Sequence, residues 1–143
     1  MRSRLAVVPG LLLLAACRPE SPEAQVKRTF HDMVKKVEAS DAPGTVAFLA
    51  PNFEGPDGLD KGTLQYMLMG LFRDQKVGVT VMEETVRVDK SIAYQDVSLL
   101  LTGRTGKSLF PDDSSRKAYR LKWELKEKTW RLKRAEVLAE PGR

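Results

Sequence analysis

Lys117 to Val137 reads KAYRLKWELKEKTWRLKRAEV, and its period of two decides the fold. Successive side chains of a strand point to opposite faces, so Tyr119, Leu121, Trp123 and Leu125 share one side. Arg120, Lys122 and Lys126 share the other with Glu124. Glu127-Lys128 turns the chain, and Trp130 and Leu132 return along the apolar side. Ala135 and Val137 are out of parity with Trp130, so a one-residue bulge is expected between them. The stretch is a hairpin with one packed face and one wet face.

Upstream the same period recurs. Val77, Val79 and Val81 alternate, while Val86 and Val88 alternate in the opposite parity. A bulge or bend near Glu83-Glu84 brings both sets to one face, with those carboxylates expected to point outward. In the next run Val97, Leu99 and Leu101 lie on one side and Ile92 and Tyr94 on the other. Residues 102–116 hold two glycines, Pro111 and two aspartates, a long turn between strands.

Before Gln75 the period is helical. Val26, Phe30, Met33, Val34 and Val37 recur three and four apart, which predicts an amphipathic helix over Gln25 to Ser40. Asp41-Ala42-Pro43 starts a second, short helix running through Val46, Phe48, Leu49 and Ala50, with Pro51 disfavouring continuation. Asn52 to Gly58 is rich in turn formers and reads as a loop. Asp60 caps a third helix with Leu64, Met67, Leu68, Leu71 and Phe72 on its apolar face. Gly70 weakens that helix or marks the close approach of another element.

Three helices followed by four long strands is an α+β order. It predicts a bent, mostly antiparallel four-stranded sheet packed on the helices. The element order, with the closing hairpin and its two tryptophans, resembles the nuclear transport factor 2-like fold, also called the cystatin-like cone. The resemblance covers about residues 24–139, and the domain is placed at 25–139 with a tail at 140–143. It implies a cone with a mouth. Its members range from isomerases, cyclases and hydratases to small-ligand binders and inert assembly domains, so the fold alone names no activity.

The amino-terminal end carries a different message. Arg2 and Arg4 precede a short apolar run that ends Leu14-Ala15-Ala16-Cys17, and Cys17 is the only cysteine. The run resembles the lipobox of bacterial lipoproteins, which implies a signal peptide at 1–16, diacylglycerol on Cys17, cleavage before it and acylation of the new amino terminus. Leu5 to Cys17 is too short for a membrane span and contains Pro9 and Gly10. Residues 17–24 then form a lipidated tether, which holds the domain within a few nanometres of the bilayer. Arg18 stands where an aspartate would favour inner-membrane retention, and the resemblance implies the outer membrane, facing the periplasm. The formal charge of +5 falls by two when Arg2 and Arg4 leave with the leader, and an envelope address argues against nucleic acid as a partner.

The candidate chemistry is sparse. Asp96 interrupts an apolar strand in register with Tyr94, and those two, or Tyr66, form the only Asp/Tyr acid–base candidates for an isomerase-like or cyclase-like enzyme. Such an enzyme needs a carboxylate and an aromatic hydroxyl about 3 Å apart in a pocket. A core filled around Phe30, Leu68, Leu99 and Trp123, with Asp96 in solvent, favours a binding or structural domain instead. His31, the single histidine, falls at the edge of the first helix stripe and reads as a solvated or rim residue. One histidine and one lipid-bound cysteine leave too few ligands for zinc, so no metal or cofactor is expected. Gly106-Lys107-Ser108 ends like a phosphate loop, but Leu101 occupies the position of its first glycine.

Arg120, Lys122, Lys126, Arg131, Lys133 and Arg134 make a basic strand face, an ordinary guard against edge pairing or a surface for anionic lipid or an acidic partner. Taken together, the residues favour a noncatalytic, lipid-anchored envelope protein that binds a protein partner or a small apolar ligand. Membrane contact through Cys17 and a possible homodimer through the open sheet are the expected associations.

Overall fold

The computed structural model describes residues 18–103 and 116–138. Cys17, the leader, most of the long turn and the Gly106-Lys107-Ser108 run lie outside the described residues.

Helix α1 spans Pro22–Glu38. Ser21 Oγ accepts the Ala24 amide at 3.1 Å, and Pro22 occupies the first turn, where its missing N–H is no loss. This cap starts the helix three residues ahead of Gln25. Val26, Phe30 and Val34 form its buried stripe. Helix α2 spans Ala42–Val46, capped by Asp41 Oδ1 on the Gly44 amide at 2.8 Å. Helix α3 spans Lys61–Asp74, capped by Asp60 Oδ1 on the Thr63 amide at 2.7 Å, and none of its residues is fully buried.

The strands are β1 (Leu49–Glu54), β2 (Gly78–Asp89), β3 (Ile92–Thr102), β4 (Arg116–Lys126) and β5 (Thr129–Val137). They form one sheet in the order β1-β5-β4-β3-β2, antiparallel throughout except that β1 runs parallel to β5. The sheet thus has five strands rather than the expected four. The second helix stops at Val46, and Leu49 and Ala50 pass into β1, as does part of the stretch read as a loop. A proline is tolerated in β1 because it is an edge strand, with one side free of ladder bonds. A single 3-10 turn at Pro56–Gly58 links β1 to α3.

Two bulges lie where the parity changes require them. Between Val81 and Glu83 the pairing with β3 slips by one residue, so that Val79, Val81, Val86 and Val88 all pack against the core. On β5 the pairing passes from Lys122↔Arg134 to Trp123↔Leu132, leaving Lys133 as the extra residue. The chain turns between β4 and β5 at Glu127-Lys128, both with positive φ, as a tight two-residue hairpin requires. The bent sheet wraps α1, and the buried core gathers Val26, Phe30, Ala93, Leu121, Trp123, Trp130 and Leu132.

Candidate functional site

The concave side of the sheet and α3 enclose an open cleft of about 700 Å³. Its walls are apolar because two periodicities meet there: Leu64, Leu68 and Leu71 on α3 face Leu99 and Leu101 on β3. Trp123 is buried in the filled part of the core, Phe30 is buried at the cleft floor, and Leu68 and Leu99 are only partly buried and line the cleft. Among the described lining residues the polar side chains are few. Thr45 Oγ1 donates to the Asp41 carbonyl at 2.7 Å, and Asp57 and Thr63 are exposed at the rim. From the sheet side comes Tyr119, half-buried, whose phenol is pushed up by desolvation.

Behind the cleft lies a chain of polar groups. Trp123 Nε1 donates to Gln95 Oε1 at 2.9 Å, and Gln95 Nε2 donates to Glu84 Oε1 at 2.9 Å. The second oxygen of Glu84 lies 2.7 Å from His31 Nε2 on α1. Exposure rises along the chain, from 0% at Trp123 and Gln95 to 14% and 45% for the side chains of Glu84 and His31. Glu84 therefore points inward, not outward, because it shares the parity of Val86 beyond the bulge. His31 stands at the rim. The other tryptophan has a matching arrangement, with Trp130 Nε1 donating to Gln25 Oε1 at 3.2 Å. Its members bond one another and none of them lines the cleft, which suits a structural clamp of α1 onto the sheet.

The Asp/Tyr candidates do not meet in the cleft. Asp96 is on the convex face, where Arg120 Nε and Nη2 grip its two oxygens at 2.8 and 2.9 Å. The Arg120 hydrogen bonds hold its carboxyl below the usual carboxylate range, against what a general base needs near neutral pH. Tyr94 lies on the same face with the Arg87 guanidinium over its ring. Tyr66 is on α3, 79% exposed.

The basic residues divide into two groups. Arg120 pairs with Asp96, Arg134 with Glu136 at 2.9 Å, and Lys126 with Glu124 at 3.3 Å. Lys122 lies in the cross-strand row Tyr94–Lys122–Arg134. Arg131 Nη1 instead donates to the Ala47 carbonyl, and Lys133 Nζ to the Asn52 carbonyl at 3.2 Å, so these two brace the α2–β1 segment. Among the described residues no three His, Cys, Asp or Glu side chains gather as metal ligands would, and no helix is long and apolar enough to cross a membrane.

No protein-family model and no curated protein matches the sequence. Solved structures do match in shape. A protein of unknown function from Mycobacterium tuberculosis superposes with a TM-score of 0.69 at 13% identity, over 81% of this chain and 74% of its own. A nuclear transport factor 2-like protein from Cytophaga hutchinsonii gives 0.61 at 14% identity, over 80% of this chain and 95% of its own. A cystatin-like protein of unknown function from Nostoc punctiforme gives 0.62 at 11% identity, over 82% and 90%. The chain has the nuclear transport factor 2-like, or cystatin-like, fold, a cone able to hold a small molecule or a partner; at these identities the likeness carries no activity with it.

Proposed function

We propose that this chain is a noncatalytic binding domain that holds a small apolar ligand in its cone, carried at the cell envelope by lipid on Cys17. The observation behind the binding role is the open cleft of about 700 Å³ with its apolar walls. That volume is within the ordinary range for small-molecule sites, and apolar burial supplies the driving force. The noncatalytic reading is supported by the position of Asp96 and Tyr94 on the opposite face and by the rim position of Asp57. The anchor reading rests on Leu14-Ala15-Ala16-Cys17 and on Arg18, which favours the outer membrane facing the periplasm.

The ligand role is tested with N-phenyl-1-naphthylamine, an uncharged fluorophore whose emission rises in apolar sites. Its binding is expected to be saturable and to fall when Leu68→Trp fills the cleft. Binding that Leu68→Trp leaves unchanged is binding elsewhere, and sinks the reading. The anchor is tested separately by Cys17→Ser, which is expected to move the full-length protein from the detergent phase to the aqueous phase.

A further inference from the structure

Tyr119 is the one polar side chain that the sheet places in the cleft, and its hydroxyl makes no hydrogen bond to another described residue. No fully buried polar side-chain atom lacks a partner among the described residues, so this oxygen keeps some accessible surface, on a residue that lines the cleft. Water or a ligand must satisfy it, because a phenol shut away without a partner costs free energy. Its position follows from strand parity: Tyr119 shares the inner face with Leu121 and Trp123, opposite Val97 on β3 and Val137 on β5.

The rest of the lining limits what meets that hydroxyl. The described lining offers no cationic side chain, and its single charged group, Asp57, is negative. A carboxylate or phosphate brought in would be desolvated with no counter-charge from the described lining and repelled by Asp57 at the rim. A ligand hydroxyl accepting from Tyr119 would leave its own proton stranded against apolar walls. A carbonyl accepts without stranding a proton. The volume, at about 30 Å³ per water-sized group, takes roughly 20 non-hydrogen atoms.

We infer that the ligand of this cleft is a neutral, largely apolar molecule bearing one ketone or ester carbonyl, which the Tyr119 hydroxyl binds. The inference rests on the cleft being a ligand site, and its test separates the two. Binding of 2-acetylnaphthalene and 2-ethylnaphthalene, near-isosteric and uncharged, is measured by titration calorimetry on the wild-type chain and on Tyr119→Phe. Because the hydroxyl has no partner within the described protein, Tyr119→Phe is expected to fold, which circular dichroism checks. The ketone is expected to bind the wild type about tenfold more tightly than the hydrocarbon, and Tyr119→Phe to remove that preference, weakening the ketone and sparing the hydrocarbon the cost of an unpaired phenol. Equal affinities in both proteins overturn the carbonyl assignment and leave an apolar site standing. Failure of both compounds to bind either protein overturns the assignment together with the ligand-site reading beneath it.

Discussion

The indole N–H of Trp123 donates to the carboxamide oxygen of Gln95 at 2.9 Å, and both side chains are closed to solvent. Gln95 also holds Glu84, which reaches His31, so one amide joins β4, β3, β2 and α1. Gln95→Leu strands the indole N–H and is expected to destabilise the fold by about 1–3 kcal/mol. Adding Trp123→Phe removes the stranded donor, so the double variant should lose less than the sum of the two single losses. Urea unfolding of the four proteins measures the coupling.

Gly70 lies inside α3 with nothing within 4 Å of where a Cβ would stand. Of the two readings of this glycine, helix weakness fits the geometry and close approach does not. Gly70→Ala is expected to stabilise the protein by about 1 kcal/mol, seen as a raised urea midpoint with an unchanged slope.

The Asp96–Arg120 pair sets a sign for acid stability. The Arg120 hydrogen bonds lower the folded-state pKa of Asp96 beneath its unfolded value near 4. The stability it contributes is therefore present above about pH 4 and disappears as pH falls through the lower folded value. Asp96→Asn is expected to flatten the stability curve below about pH 4, with a small effect because both side chains are well exposed. Urea midpoints between about pH 2 and 7 check this.

Tyr119 acts at the other end of the scale. Desolvation raises its phenol above the unfolded value near 10, so its neutral form is the one the fold favours. That contribution is complete below about pH 10 and is lost as pH climbs through the raised value. Tyr119→Phe is expected to remove this alkaline loss, and ultraviolet titration should show one late-ionising tyrosine fewer.

The regular elements were legible because their periods are local. Val26, Phe30 and Val34 report a helix by spacing alone, and the parity changes at Glu83-Glu84 and before Ala135 reported the bulges. Strand β1 was not legible. Six residues with a proline show no alternation, and what makes them a strand is pairing with β5, far away in the chain. Glu84 was half legible: the bulge that rescues Val86 also turns Glu84 inward, and a glutamate next to a parity change is the cue. Gln95 sits in phase with Val97 and Leu99, a polar residue on an apolar face, which marks it as a buried hydrogen-bonder. For Tyr119 the sequence shows its face, but only the packing of α3 shows that it borders open volume.

The parallel seam between β1 and β5 also orders events in time. Leu132 N donates to the Phe48 carbonyl at 2.9 Å, and Arg131 reaches back 84 residues to Ala47. A chain emerging amino end first presents α1, α2, β1 and α3 well before the strand that seals them exists. Contacts this distant in sequence form late and slow the search. A polypeptide ending short of Thr129 therefore has every wall of the cleft on β2, β3 and α3 but no β5 to close it on the β1 side.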